Sequence, residues 1–186
     1  MNTTEHIGAT GIWSEELAAS GAHKHDEALS AAIGRMFGDP RKMLIDFGAG
    51  RGDYLRDLNG QFFNVRGYEG TPNDCQYVEQ ADLSHSRFVP APCDIAICLE
   101  VGEHIPRALM HQFLDNISFN VREMLVLSWA IPGQGGDGHV NELKPETVEQ
   151  LMHARGFDPS PQHAIKLRQA SRLPWFRNTI NVFRRA

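Results

Sequence analysis

Between residues 26 and 37 the apolar positions Ala28, Leu29, Ala32, Ile33, Met36 and Phe37 recur at i, i+1, i+4, i+5, i+8 and i+9, which is one face of a helix. Gly38-Asp39-Pro40 stops it. A shorter helix is predicted over 15–20. Beyond residue 40 short apolar runs alternate with helical ones. Runs over 42–47, 64–68, 77–81, 94–99 and 123–129 predict five strands, and Asp94-Ile-Ala-Ile-Cys-Leu99 is of the fully buried kind. Residues 53–58 read as a brief helix, and Ile105, Leu109, Phe113, Leu114 and Ile117 mark another after the fourth strand. A further helix over 145–155 has Pro145 near its start and Gly156 past its end. Runs over 163–169 and 178–184, with a turn around Pro174 and no helical pattern between, predict a last antiparallel pair.

Strands alternating with helices imply one α/β domain around a mostly parallel sheet, covered on both faces. Residues 1–38 form a helical cap segment ahead of a core over 39–186. In such sheets ligands sit at the carboxyl ends of the strands, near the switch in strand order.

Composition narrows the class. The 186 residues are 41% hydrophobic and 22% charged, enough to bury one sizeable core and unlike a disordered or collagen-like chain. No apolar run is long enough to cross a membrane, and the polar start at 1–11 has no signal-peptide h-region. Cys75, Cys93 and Cys98 form no CxxC pair, so reduced thiols and a cytoplasmic location are expected. The net charge of −5 argues against general nucleic-acid binding, yet the segment 164–186 holds six basic residues and no acidic one. Either this is a solvated face, or Arg172 and its neighbours meet an anionic substrate or polymer.

The first strand ends in Asp46-Phe47-Gly48-Ala49-Gly50-Arg51-Gly52, a bend that lets backbone approach a ligand closely. Glu69 ends the next strand, where a carboxylate can accept hydrogen bonds from both hydroxyls of a ribose, and Asp82 follows the third strand, placed for an adenine edge. The spacing is not the dinucleotide GxGxxG, which disfavours an NAD-linked oxidoreductase, and Asp46 beneath the bend suits a cationic ligand.

Through 44–52, Tyr68-Glu69, Ala81-Asp82-Leu83 and 94–106, the chain resembles the class I S-adenosylmethionine-dependent methyltransferases over roughly residues 22–186. The resemblance implies a Rossmann-like, doubly wound, seven-stranded sheet with an antiparallel last hairpin. It implies S-adenosylmethionine bound by Asp46, Gly48, Ala49, Gly50, Gly52, Glu69, Gly70, Asp82 and Leu83, with Leu99 or Glu100 at its amino-acid end. In similar enzymes the segment before the core, here with Trp13 and His23, folds over cofactor and substrate; on its own, the stretch around His23 and His25 also reads as an exposed helix start.

Glu100, Glu103 and His104 follow the fourth strand and His139 the fifth, so two carboxylates and two imidazoles gather where the methyl acceptor must come. ExxEH with a later His is similar to the metal-using small-RNA 3′-terminal 2′-O-methyltransferases and ubiquinone-biosynthesis O-methyltransferases. That resemblance implies Glu100, Glu103, His104 and His139 as ligands of Mg²⁺ or Mn²⁺, although residues 135–141 reproduce neither subgroup's second motif. In members without a metal such a Glu-His pair caps a helix, and His104, His139 and Glu103 are then the acid–base candidates. Trp129, Asp137 and Asn141 are placed to line the acceptor pocket; Trp175 is either there or in the core. Three functions stay open: methylation of a hydroxyl or amine on a small molecule or sugar, methylation of RNA or another anionic polymer, and cofactor binding without transfer.

Overall fold

The computed structural model describes residues 7–186. Seven strands form one sheet: β1 (Asp39–Phe47), β2 (Phe62–Glu69), β3 (Val78–Gln80), β4 (Cys93–Cys98), β5 (Val121–Ser128), β6 (Phe157–Pro159) and β7 (Ile180–Arg185). Seven helices accompany them: α1 (Glu15–Ala19), α2 (Glu27–Phe37), α3 (Asp53–Leu58), α4 (Met110–Ser118), α5 (Pro145–His153), α6 (Pro161–Ala170) and α7 (Phe176–Thr179). The strand order is β3-β2-β1-β4-β5-β7-β6. The first five strands run parallel, while β7 is antiparallel to both β5 and β6.

The central strands read as unbroken apolar runs because both faces are covered. Leu44, Ile95, Ile97, Val126 and Val182 point to one side, with Leu29 and Ile33 of α2, Leu55 of α3 and Leu167 of α6. Ile45, Phe47, Ala96, Cys98, Leu125 and Phe183 point to the other, with Phe113 and Ile117 of α4 and Val148 of α5. The period-two alternation thus divides residues between two cores rather than between core and water. The three cysteines are buried and unpaired.

The last antiparallel pair departs from expectation. Residues 163–169 are not a strand but most of α6, which starts at Pro161 and buries Ala164 and Leu167, one turn apart. The strand that pairs with β7 is Phe157–Pro159, only three residues long. The antiparallel neighbours are therefore joined through α6 and α7, not by a hairpin turn, and the first residues of the 178–184 run belong to α7.

One buried carboxylate ties the two ends of the chain together. Asp26 caps α2 by accepting from the Leu29 N–H at 3.0 Å. Its second oxygen accepts from Ser171 Oγ at 2.6 Å and from the Arg172 and Leu173 N–H groups at 2.7 and 3.0 Å. Desolvation opposes its charge, but these donors outweigh it and hold the carboxyl below its usual range. Asp26→Ala takes the acceptor from four donors, buried or partly buried, and should cost about 3 kcal/mol, read as a fall in Tm of roughly 6–12 °C. Because the folded-state pKa is depressed, this stabilisation is present above the ordinary value of 3.8 and fades as pH falls below it. The gap between wild type and variant should therefore narrow in acid melts.

Candidate functional site

The site lies along the carboxyl ends of β1, β2, β4 and β5. β1 delivers Asp46 to the base of the glycine bend. At Gly48 and Gly50 φ is +77° and +51°, a region that L side chains rarely adopt. A Cβ on Gly48 would run into Val101, and one on Gly50 would lie 2.8 Å from His23 Nδ1. β2 delivers Glu69, whose carboxylate accepts from the Gly50 N–H at 2.9 Å and from the Thr71 N–H at 3.1 Å. The loop after β3 delivers Asp82, whose Oδ1 accepts from both the N–H and the hydroxyl of Ser84.

An N-terminal strap roofs these ends. Ile7 and Trp13 pair across a tight turn, and Thr71 Oγ1 donates to the Trp13 carbonyl at 2.8 Å. The indole stacks on the His23 ring at 4.8 Å, and Trp13 Nε1 donates to His104 Nδ1 at 3.4 Å. Beneath the strap two chambers meet. The larger, of about 610 Å³, is lined by Asp46, Gly48, Ala49 and Gly50, by His25, Tyr54, Trp175 and Phe176, and by the Gly-rich loop carrying Gln134, Asp137 and His139. The smaller, of about 100 Å³, is lined by Glu69, Gly70, Asp82 and Leu83. Trp13, His23, Gly48, Leu99, Glu100 and His104 line both and form the neck between them.

Beyond the neck, Glu103, His104 and His139 bring ligand-type atoms within 4.8 Å of one another. Glu103 is 0% exposed on a short 3₁₀ turn, Gly102–His104, and neither of its carboxylate oxygens has a hydrogen-bond partner among the described residues. Burial, and the Glu100 charge beside it, push its carboxyl far above the usual range. Burial and the neighbouring His139 depress His104 to about 4, so its ring is neutral at neutral pH. The Glu142 carboxylate meets His139 Nδ1 at 3.1 Å and accepts from the Gly133 and Gly135 N–H groups, each at 2.7 Å.

Glu100 stands outside that trio. Its φ of +55° is a left-handed conformation that costs a non-glycine residue about 1–3 kcal/mol. Its Oε2 accepts from Gln134 Nε2 at 2.9 Å, while Oε1 is buried with no partner among the described residues.

The other expected site residues lie elsewhere. Glu103 sits behind the chamber walls, and Gly52 begins α3 without lining either chamber. Trp129 is 2% exposed, packs against Gly102 and Phe113, and donates from Nε1 to the Asn141 carbonyl at 2.6 Å. Asn141 is buried under the Glu103 turn, donating its N–H to the Glu103 carbonyl. The Arg172 side chain is exposed and lines neither chamber; among the described residues only its backbone N–H is engaged, by Asp26. Gln134, Glu142 and Tyr54 carried no signal in the sequence, because they reach the site through loop conformation and a long-range helix contact, while His25, read with His23 as the covering segment or an exposed helix start, lines the larger chamber.

A family model described as a methyltransferase domain matches residues 21–161. The chain belongs to the class I S-adenosylmethionine-dependent methyltransferases. The methyltransferase is similar in fold to a sugar N-methyltransferase from Streptoalloteichus, at 17% identity and a TM-score of 0.68, with 96% of this chain and 98% of that one covered. It is similar also to magnesium protoporphyrin IX methyltransferase from Synechocystis with bound S-adenosylhomocysteine, at 16% identity and a TM-score of 0.63, covering 86% and 81%. A small RNA methyltransferase, HEN1, matches at 19% identity and a TM-score of 0.60, over 84% of this chain but 24% of that one. None of the curated protein sequences matches the methyltransferase significantly. Among the described residues no helix is long and apolar enough to cross a membrane.

Burial, with the Glu69 charge nearby, raises the Asp46 carboxyl to about 8. An acid whose folded-state pKa is raised binds a proton that the unfolded chain releases, so it withdraws stability as pH rises from its unfolded value towards 8. Asp46→Asn should therefore melt higher than wild type, by about 2 kcal/mol or more at pH 8, with the difference vanishing near pH 4. A pH-independent difference in Tm would contradict the assigned cause.

Proposed function

We propose that the chain binds S-adenosylmethionine across the two chambers and transfers its methyl group to a hydroxyl or amine of a small molecule, with sugars among the candidates. The observation that carries this reading is the Glu69 carboxylate, held by the Gly50 and Thr71 N–H groups where the glycine bend meets the smaller chamber. The bound compound supplies an electrophilic methyl group on a positively charged sulfur.

The residues divide the work. Glu69 accepts from the ribose hydroxyls with the lone pairs its backbone donors leave. Asp82, with Oδ1 engaged by Ser84, offers Oδ2 to the adenine amino group, and Leu83, 6% exposed, packs beside the ring. Gly48 and Gly50 let the backbone come close to the amino-acid end. Asp46, uncharged at neutral pH while the site is empty, ionises more readily beside a cation and so favours the sulfonium. Trp13 and His23 close the neck against water. Alignment of acceptor and methyl group is the main catalytic contribution open to such a site.

The acceptor enters the larger chamber, between His25, Tyr54, Trp175 and Phe176 on one side and the Gly-rich loop on the other. His139, whose Nδ1 meets Glu142, keeps Nε2 to take the proton of an acceptor hydroxyl, while His104 beside it already accepts from Trp13 at Nδ1. The donor set also fits a divalent cation: one carboxylate and two imidazoles converge, and the buried Glu103 oxygens have no partner among the described residues. Glu103, His104 and His139 would hold the ion, which would lower the pKa of an acceptor hydroxyl. The imidazoles then serve as ligands rather than bases.

The basic C-terminal segment lends a polymer substrate less support than its count suggests. Arg168 is spent on the Ile180 carbonyl and Asn181, and Arg185 on the Arg155 carbonyl and the Phe157 ring. Full-length fold similarity to a sugar N-methyltransferase agrees with a small acceptor and keeps an amine among the candidates.

Glu69→Ala should weaken S-adenosylmethionine binding at least about 100-fold by calorimetry. Absence of binding by the wild-type chain would overturn the reading. Transfer of labelled methyl groups, screened over sugars, phenols, amines and oligoribonucleotides, should label a small molecule; label on RNA alone would replace that acceptor class. Mn²⁺ should bind the wild-type chain and bind His139→Ala at least about tenfold more weakly. Equal titration of the two would remove the metal from the account.

A further inference from the structure

The three gathered ligands, one carboxylate and two imidazoles, suffice to coordinate a divalent ion but leave its charge only half balanced. Glu103 contributes one carboxylate and the two histidines are neutral ligands, so a dication held by them alone keeps an uncompensated charge in a buried place. A second carboxylate would balance it, and Glu100 is adjacent in sequence, lines the neck, and has one buried oxygen without a partner among the described residues. Its other oxygen is taken by Gln134 Nε2 at 2.9 Å.

The backbone on both sides of this contact is fixed. The Glu100 N–H donates to Ser128 Oγ at 2.8 Å, which leaves side-chain rotation as its available movement. Gln134 is presented by a clamped loop: its own N–H donates to the Ile131 carbonyl at 2.9 Å, and the N–H groups of Gly133 and Gly135 on either side are held by Glu142. Glu142 also fixes the His139 ring. The loop that orients one ligand of the trio therefore restrains the carboxylate that would complete it.

We propose that Gln134 is a positioning residue that holds Glu100 out of the Glu103–His104–His139 cluster, so that a divalent cation gains its second carboxylate only when the Gln134 amide lets go. This rests on the metal reading above. A cation in the cluster and the Gln134–Glu100 hydrogen bond then compete for one side chain, and losing the amide makes binding easier.

The test uses Mn²⁺ and the full chain in calorimetric titrations without S-adenosylmethionine. Gln134→Ala, and Gln134→Met, which keeps the volume without the donor, should each bind Mn²⁺ roughly tenfold more tightly than wild type, the loss of one hydrogen bond to a charged group. Glu100→Gln should erase that gain in either background, since the coupling runs through this pair. Thermal melts identify a variant that has not folded, and the other then decides. Unchanged or weaker Mn²⁺ binding in the folded variants overturns the proposal. Lack of Mn²⁺ binding by every form, wild type included, overturns it together with the metal reading, while S-adenosylmethionine titration of the same samples shows separately whether the methyl-transfer reading stands.

Discussion

The Glu69 carboxylate, held between the Gly50 and Thr71 N–H groups, is the contact on which the cleft depends. It joins the glycine bend after β1 to the loop after β2, two segments that the sheet alone only brings near each other. Thr71 in turn holds the Trp13 carbonyl, so the same corner carries the roof over both chambers. A charged acceptor forms hydrogen bonds about twice as strong as a neutral one, and no neutral side chain could hold two loops and keep lone pairs for a ligand.

Carboxylates at this edge are also a liability. Asp46, Glu100 and Glu103 lie within a few strand ends of one another, and burial pushes Asp46 and Glu103 towards their neutral forms. Orphaned buried oxygens, a left-handed glutamate and a buried acid under a glycine bend each work against folding. The two apolar cores on either side of the sheet, and the Asp26 tie between α2 and the C-terminal segment, offset them. Strain gathered in one place and stability in another is the distribution expected when a site is organised for a ligand rather than for the empty protein.

What the sequence revealed follows the same division. β1, β4 and β5 were legible because a strand buried on both faces is apolar throughout, whichever residues cover it. The glycine bend was legible because it follows such a strand; Glu69 ends β2 and Asp82 follows the short, largely exposed β3, each legible as an acid at a strand end. Residues 163–169 misled because their apolar positions are few; the helical signal lay in Pro161 and in the Ala164 to Leu167 spacing, while β6 is too short to register. Trp129 and Asn141 were expected in the acceptor pocket from their place after β5, but Trp129 packs over Gly102 and Phe113 and donates to the Asn141 carbonyl, while the Asn141 N–H donates to the Glu103 turn, so both are buried away from the chambers. Arg172 was offered to an anionic substrate on charge alone, which says nothing of where a side chain points.

The loop after β5 shows most plainly what a linear reading cannot supply. Its glycines announce flexibility, yet Gly133 and Gly135 are held by Glu142, and Gln134 between them reaches back to Glu100 across the neck. Glycine serves here to let consecutive N–H groups turn towards one carboxylate, a use of backbone freedom that ends in a fixed conformation. The loop fixes the His139 ring and occupies an oxygen of Glu100 at once. The wall of the larger chamber and the carboxylates behind it therefore share hydrogen bonds, so a change in one is felt by the other.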